Sequence, residues 1–287
     1  IDFKIVKSDD KNCYIAYNLK KEKGEVTAEY EVSDGEFKLR QKSNHVTVNM
    51  DLSGIEALIS GTKDYTQRNQ FILYLPEAKQ ISSAELDMAD GDISVDGLRS
   101  DRIDISVDAG DIKLLDTESK EIKIASSDGD MAVKDSKLNT VTINDSYGDI
   151  KFEDTDIDSG KISTNDGDIS VKNTNLKGIN ITDNYGDIKC NDGSFEDIAV
   201  KLNDGDLRLE DTKFDGNIKI KSGYGDVKVI GFDDWKGISV NAKTSYGDVS
   251  VKNITDGDKT ETSFERNIES ATATVEIKCS DGDISIR

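Results

Sequence analysis

Asn165-Asp166-Gly167-Asp168-Ile169-Ser170-Val171 returns nineteen residues later as Asn184-Tyr185-Gly186-Asp187-Ile188-Lys189-Cys190. It returns again after nineteen more as Asn203-Asp204-Gly205-Asp206-Leu207-Arg208-Leu209. Outward from these three copies, Gly-Asp followed by an apolar residue occurs at Gly91, Gly110, Gly129, Gly148, Gly225, Gly247 and Gly282. The first seven glycines of the full set are 19 residues apart, and the later gaps are 20, 22 and 35. Self-similarity at a fixed short period marks stacked structural units and outranks any local propensity.

Counted from each glycine, positions +2 and +4 are apolar, as in Ile93/Val95, Ile150/Phe152 and Val249/Val251, with Ser, Lys, Ala or Arg between them. Such alternation is a strand with one buried face. A single apolar residue near +9 (Leu138, Ile157, Leu176, Phe195, Phe214; Trp235 at +10) reads as a corner plug. A second alternating pair at +12 and +14 (Ile103/Ile105, Ile122/Ile124, Ile179/Ile181) reads as a second strand. One such unit cannot bury its own apolar side chains. Stacked at ~4.8 Å on its copies, it shares a continuous interior. Antiparallel hairpins would not need the same residue at every turn. The expected fold is therefore all-β: a single-stranded, right-handed parallel β-helix of ~19-residue coils.

The 35% apolar content fits a thin solenoid better than a sphere with a deep core. The net charge of −21 argues against nucleic acid or anionic lipid as a direct partner, because phosphate binding needs Lys and Arg. Cys13, Cys190 and Cys279 are odd in number and widely spaced, so no disulfide framework or zinc site is visible. Cys190 takes a place held elsewhere by Val, Leu or Phe and is expected in the core. No run of 18 apolar residues exists to insert in a membrane. A start at Ile1 suggests an upstream segment.

Asp follows the glycine in all ten units. Carboxylates stacked one coil apart repel by ~1 kcal/mol per pair even in water, so something must offset them. The plain expectation is that each accepts backbone N–H bonds in its own turn. A weaker reading is a cation ladder on Asp128, Asp130, Asp166, Asp168, Asp204 and Asp206, although the nine-residue calcium-binding roll motif does not match. The residue before glycine alternates, giving Tyr147, Tyr185, Tyr224 and Tyr246 among aspartates. The plainer expectation is that these tyrosines pack over a neighbouring glycine. Exposed instead, a row at ~10 Å would stack on sugars or bind peptides.

Residues 1–75 lack the period but contain strand-like runs (Phe3–Val6, Tyr14–Leu19, Val26–Val32, Phe37–Gln41, Val46–Met50, Phe71–Leu75). They are expected to form a β-rich cap over an open end, leaving 76–287 as the β-helix of about ten coils. An insertion near 255–272 is expected to be a short helix or a loop over one face. The last strand, Ile284–Arg287, is expected to be an edge, covered by that insertion or paired end-to-end with another molecule.

Tyr147-Gly-Asp-Ile-Lys-Phe, Asn165-Asp-Gly-Asp-Ile-Ser-Val and Ser245-Tyr-Gly-Asp-Val-Ser-Val resemble the bacterial DUF4097 family over about residues 71–287. The resemblance implies a parallel β-helix, the family's label of adhesin, and an extracytoplasmic or cell-surface location, some relatives being linked to envelope stress. It brings no catalytic motif and no cofactor. The coils leave little chain for a catalytic cleft, and the only histidine, His45, lies in the expected cap. Many carboxylates have no diagnostic weight for glycoside hydrolysis. The expected function is a non-enzymatic surface or envelope module that binds glycan, peptide or protein through the solenoid faces. The alternatives are a structural or envelope-stress regulatory module without ligand, or a glycan-active enzyme.

Overall fold

The computed structural model describes residues 1–8, 12–18, 21–22, 25–26, 29–41, 45–53, 58–60, 70–76, 79–232 and 234–287. Among these there is strand and no helix. Backbone contacts divide the chain into two units, Ile1–Asp145 and Ser146–Arg287.

A coil holds a short strand and a long one in two parallel sheets, with apolar side chains between them; the long strand is broken into Asn175–Lys177 and Ile179–Asp183 in one coil and into Ser194–Glu196 and Ala199–Asp204 in the next. In the first unit, Ile93–Asp96, Ile112–Leu115 and Met131–Lys134 stack in parallel, with Ile93 on Ile112 and Ile112 on Met131. Gln80–Asp90, Arg99–Ala109 and Glu118–Asp128 form the other sheet, with Ala84 on Ile103 and Ile103 on Ile122. In the second unit, Ile150, Ile169, Ile188, Leu207 and Val227 form one such column, and all are buried. Each fully buried side chain of this size contributes ~1.5–3 kcal/mol. The plugs Leu138, Ile157, Leu176, Phe195, Phe214 and Trp235 are buried as the repeat requires.

Glycine is required at the turn for two reasons. Gly167 has φ +146°, and a Cβ there would sit 2.1 Å from the Gly148 carbonyl oxygen of the coil below. The coils approach too closely for any side chain, in a conformation that L residues avoid. A second corner carries its own signal at +6 and +7. Asp116, Asp135, Asp154, Asn173, Asp192 and Asp211 adopt φ of 44–54°, a region that Asp and Asn enter most readily after glycine. Gly193 follows Asp192; at the other five corners the next residue is a buried Thr or Ser whose hydroxyl donates to the carbonyl two residues back, as in Thr155 to Glu153 (2.9 Å) and Thr174 to Lys172 (2.9 Å).

Each chain end lies between strands of its own unit. In the first unit, Asp2–Ser8 runs parallel between Gln70–Pro76 and Ile93–Asp96, with Phe3 beside both Phe71 and Ile93. Cys13–Asn18 then pairs antiparallel with Gln70–Pro76, and Leu58–Ser60 pairs with Cys13–Asn18. On the other sheet, Val46–Asp51 lies antiparallel to Gln80–Asp90, followed by Glu36–Gln41 and Glu29–Ser33. The strand-like runs read from the sequence thus appear within a residue or two where the structure describes them; of Val26–Val32 it describes Val26, in Glu25–Val26, and the stretch within Glu29–Ser33, while residues 27–28, like Leu19 of the run before, lie outside the described residues.

In the second unit, Ile284–Ile286 runs between Val227–Ile230 and Val249–Val251. Ala273–Asp281 likewise lies between Lys213–Tyr224 and Ile238–Tyr246. The last coil in sequence is therefore the penultimate coil in space. This corrects the expectation of an edge at the C-terminus: Ile284–Ile286 has neighbours on both sides and offers no free edge for end-to-end pairing. The insertion is neither helix nor plain loop. Asp258–Lys259 and Ser263–Arg266 form a hairpin whose second strand pairs antiparallel with Ile238–Tyr246. Arg266 anchors it by donating to the carbonyls of Trp235 (2.6 Å) and Ile238 (3.0 Å).

Candidate functional site

The six aspartates singled out in the sequence fall into two columns. Asp130, Asp168 and Asp206 belong to the column just after glycine. There each carboxylate accepts the amide N–H of its counterpart in the next coil: Asp111 Oδ1 from Asp130 (3.2 Å), Asp149 from Asp168 (2.9 Å), Asp168 from Asp187 (2.9 Å), Asp187 from Asp206 (2.8 Å) and Asp206 from Asp226 (2.7 Å). The bonds therefore run between coils and not within one turn, correcting the sequence expectation. Charge-assisted N–H bonds of this kind offset the repulsion of stacked carboxylates. The path continues from Asp226 to Asp283 (3.0 Å) and from Asp283 to Asp248 (2.9 Å), following the interleaved order of the coils. In the first unit Asp2, from the first strand, accepts from Asp92 (3.3 Å).

Asp128, Asp166 and Asp204 lie one position before glycine and are exposed. Among the described residues, no three His, Cys, Asp or Glu side chains are placed to hold a metal ion together.

The tyrosines lie in the same column as Asp166 and Asp204. Tyr147 pairs with Asp166. Asp204 pairs with Tyr224, Tyr224 with Asp281, and Asp281 with Tyr246. Tyr185 stands between Asp166 and Asp204 by the nineteen-residue period, and the amide of Asp204 donates to the carbonyl of Asn184 (2.9 Å). In sequence the alternation fails, because Tyr224 and Tyr246 are consecutive. In space it is complete, because the terminal coil inserts Asp281 between them.

Tyr147, Tyr185, Tyr224 and Tyr246 are 58%, 60%, 61% and 76% exposed. Most of each ring stands in water, more than the plainer expectation of rings packed over glycine leads one to expect. Every second coil places them ~9.6 Å apart.

One contributor was missed by the sequence reading. Asp183 is buried three residues before Gly186 and accepts the backbone N–H of Tyr185 (3.2 Å). Burial pushes its carboxyl up to about 6, against the pull of the Tyr185 and Gly186 amides. Its Oδ2 has no hydrogen-bond partner among the described residues. The signal was the parity of the strand: Ile179, Ile181 and Asp183 face the same interior.

His45 faces Asp87 on an exposed surface (Nε2–Oδ2 3.4 Å). The three cysteines are buried and unpaired, and burial raises the thiols of Cys13 and Cys190 to about 11, which disfavours the reactive thiolate.

No curated protein and no solved structure matches the chain. The Toastrack DUF4097 family model matches residues 1–189 and again residues 116–287. The match reaches residue 1, so it takes in the non-repetitive strands as well as the Gly-Asp coils that carried the resemblance. By its repeat, its stacked coils and this full-length match, the chain belongs to the Toastrack DUF4097 family.

Proposed function

We propose that the protein is a non-enzymatic binding module of the bacterial cell surface or envelope, and that the tyrosine row is where it meets its ligand. The observation that carries this reading is the exposure of four tyrosines in one regular column. Large aromatic side chains left in water at a fixed spacing give up burial that the fold provides elsewhere. Rigid amphipathic rings are well suited to contact surfaces. The spacing of ~9.6 Å favours an extended ligand that meets several coils at once. The inert thiols and the solvent-facing His45 support a role without catalysis.

A glycan and envelope-peptide array tests this. The parent protein is expected to bind a subset of features, and the triple substitution Tyr185→Ala, Tyr224→Ala and Tyr246→Ala to abolish that binding while the fold persists. Binding at background level by the parent would favour the ligand-free structural alternative.

A further inference from the structure

Beside the tyrosine column runs a row of cations that the acidic composition conceals. Lys201 is in register with Lys221, Lys221 with Lys278, and Lys278 with Lys243. All four are exposed, on the outer face of the long-strand sheet. In sequence they are separated by irregular gaps, and only the interleaved terminal coil makes them neighbours. Lys219 stands one row away, beside Glu276. Glu276 is paired with Lys278, and Lys278, with Lys219 and Lys221 adding to it, holds that carboxyl below its usual range.

Among the described residues, Lys201, Lys221 and Lys243 have no carboxylate at ion-pair distance. On the other sheet of the same coils Lys228 faces Asp226 (2.9 Å) and Arg208 pairs with Glu210, while Lys189, like the row, has no carboxylate at ion-pair distance among the described residues. Ammonium groups stacked on adjacent coils repel one another even in water, and here the fold supplies almost nothing to offset them.

Between the lysine row and the tyrosine column lies a row of small or amide residues: Asn203, Gly223, Ser280 and Ser245. Lys221, Gly223 and Tyr224, and likewise Lys243, Ser245 and Tyr246, thus define a strip about 10 Å wide from lysine to tyrosine. One border is cationic, the middle donates and accepts hydrogen bonds, and the other border alternates aromatic rings with carboxylates. We infer that this strip of the second unit binds an extended acidic glycan. Its carboxylates meet the lysine row, its ring faces lie on Tyr185, Tyr224 and Tyr246, and its hydroxyls bond to the Asn, Ser and Asp side chains.

The inference rests on the binding role proposed for the tyrosines and adds the class of ligand. A polyanion without rings would use only the lysines and meet Asp204 and Asp281 as like charges. A neutral glycan would leave the lysines unmatched. A basic peptide would be repelled by them.

Calorimetric titration of the full chain tests the assignment, with polygalacturonate, polyphosphate, a neutral glucan and polylysine as probes. At about 0.1 M salt the Debye length is ~10 Å, so the net charge of the protein is largely screened while contacts persist. Polygalacturonate is expected to bind. Lys201→Gln/Lys221→Gln/Lys243→Gln should weaken it by about tenfold or more, from the loss of several exposed charge contacts. Lys151→Gln/Lys189→Gln/Lys228→Gln, an equal change of charge on the other sheet of the second unit, should leave it unaltered. Thermal melting of each variant checks the fold.

Polyphosphate binding as tightly as polygalacturonate would overturn the glycan assignment, as would equal losses in the two triple variants. Binding of neutral glucan or polylysine without polygalacturonate, abolished by the tyrosine substitutions, would overturn the acidic class while leaving the tyrosine surface standing. Binding of none of the four would overturn the inference, and the array above would then decide the tyrosine surface separately.

Discussion

The two ends of the chain are handled alike in topology, but of the two units that hold them it is the second that sets a row of aromatic rings in water. Asp2–Ser8 and Ile284–Ile286 are each held between two parallel neighbours. In the first unit the rings turn inward: Phe71 stacks on Phe3 (6.0 Å) and Tyr17 (5.9 Å), and Phe37 and Tyr30 lie against it. The positions before its glycines are Asp90, Ala109 and Asp128. In the second unit the corresponding column puts four tyrosines into solvent. The inward rings of the first unit come from residues 1–75, outside the repeat. The second unit also buries rings, at Phe152, Phe195, Phe214 and Trp235, and its outward rings all stand at one position of the repeat, just before glycine.

The hardest blow to this comparison would come from the interleaved terminus. Ile284→Asp places a carboxylate in a fully buried site between Val227 and Val249. It should cost more than about 5 kcal/mol, or prevent folding of the second unit. Urea unfolding followed by circular dichroism measures this. A cost near 1 kcal/mol would mean that the strand frays as an edge. The complete alternation of Tyr and Asp, and the unbroken lysine row, would then be lost with it.

Next in size is Phe71→Ala. Phe71 is fully buried and central to the aromatic cluster of the first unit. Its truncation should cost about 3–5 kcal/mol in the same measurement.

Much of this was legible in the residues. Gly-Asp at a nineteen-residue period fixed the coil, because only glycine tolerates a carbonyl at 2.1 Å from its Cβ position. The alternation of Ile169 and Val171 told which side chains face inward. The order of the coils was not legible. Nothing local to Ile284 says that it will sit between Val227 and Val249, because each coil presents nearly the same edge to its neighbours, so adjacency follows from where the chain returns after residue 270. The Asp-Thr corner at Asp154-Thr155 and Asp211-Thr212 was present in the sequence, but a buried Thr at a corner is silent to hydrophobic patterning. The tyrosine column was placed correctly and its exposure was not, because a ring beside glycine can cover the turn or leave it by a side-chain rotation alone.

Asp183 marks what the two units share inside. Three residues before glycine, the first unit has Met88, Val107, Ser126 and Asp145, and the second has Thr164, Asp183, Leu202, Ser222, Thr244 and Cys279, all buried. The native carboxyl of Asp183 titrates at about 6, above its ordinary value of 3.8. Between those values the folded state holds more protons than the unfolded state. Stability from this group is therefore greatest below pH 4, falls as pH rises through 4 to 6, and stays low above. The cost at neutral pH is ~2–3 kcal/mol. Asp183→Asn should match the parent near pH 4 and exceed it by that amount at pH 7.5, in paired urea titrations. Equal stabilities at pH 7.5 would mean that the carboxylate is well solvated or paired.

The smallest expected effect on stability is the most telling for function. Tyr224→Ala removes a side chain that is 61% exposed, so the melting curve should shift by no more than about 0.5 kcal/mol allows. Tyr17→Ala, which removes a ring stacked on Phe71, should cost several times as much. The pair compares one residue type in the two regions under one assay. A large loss for Tyr224→Ala would make the column a cover for the glycine turns after all, and its regular exposure would no longer argue for a ligand. A negligible loss, joined to weaker binding of polygalacturonate, would separate contact from stability at a single residue. The tyrosines would then be held in water by a fold that does not need them.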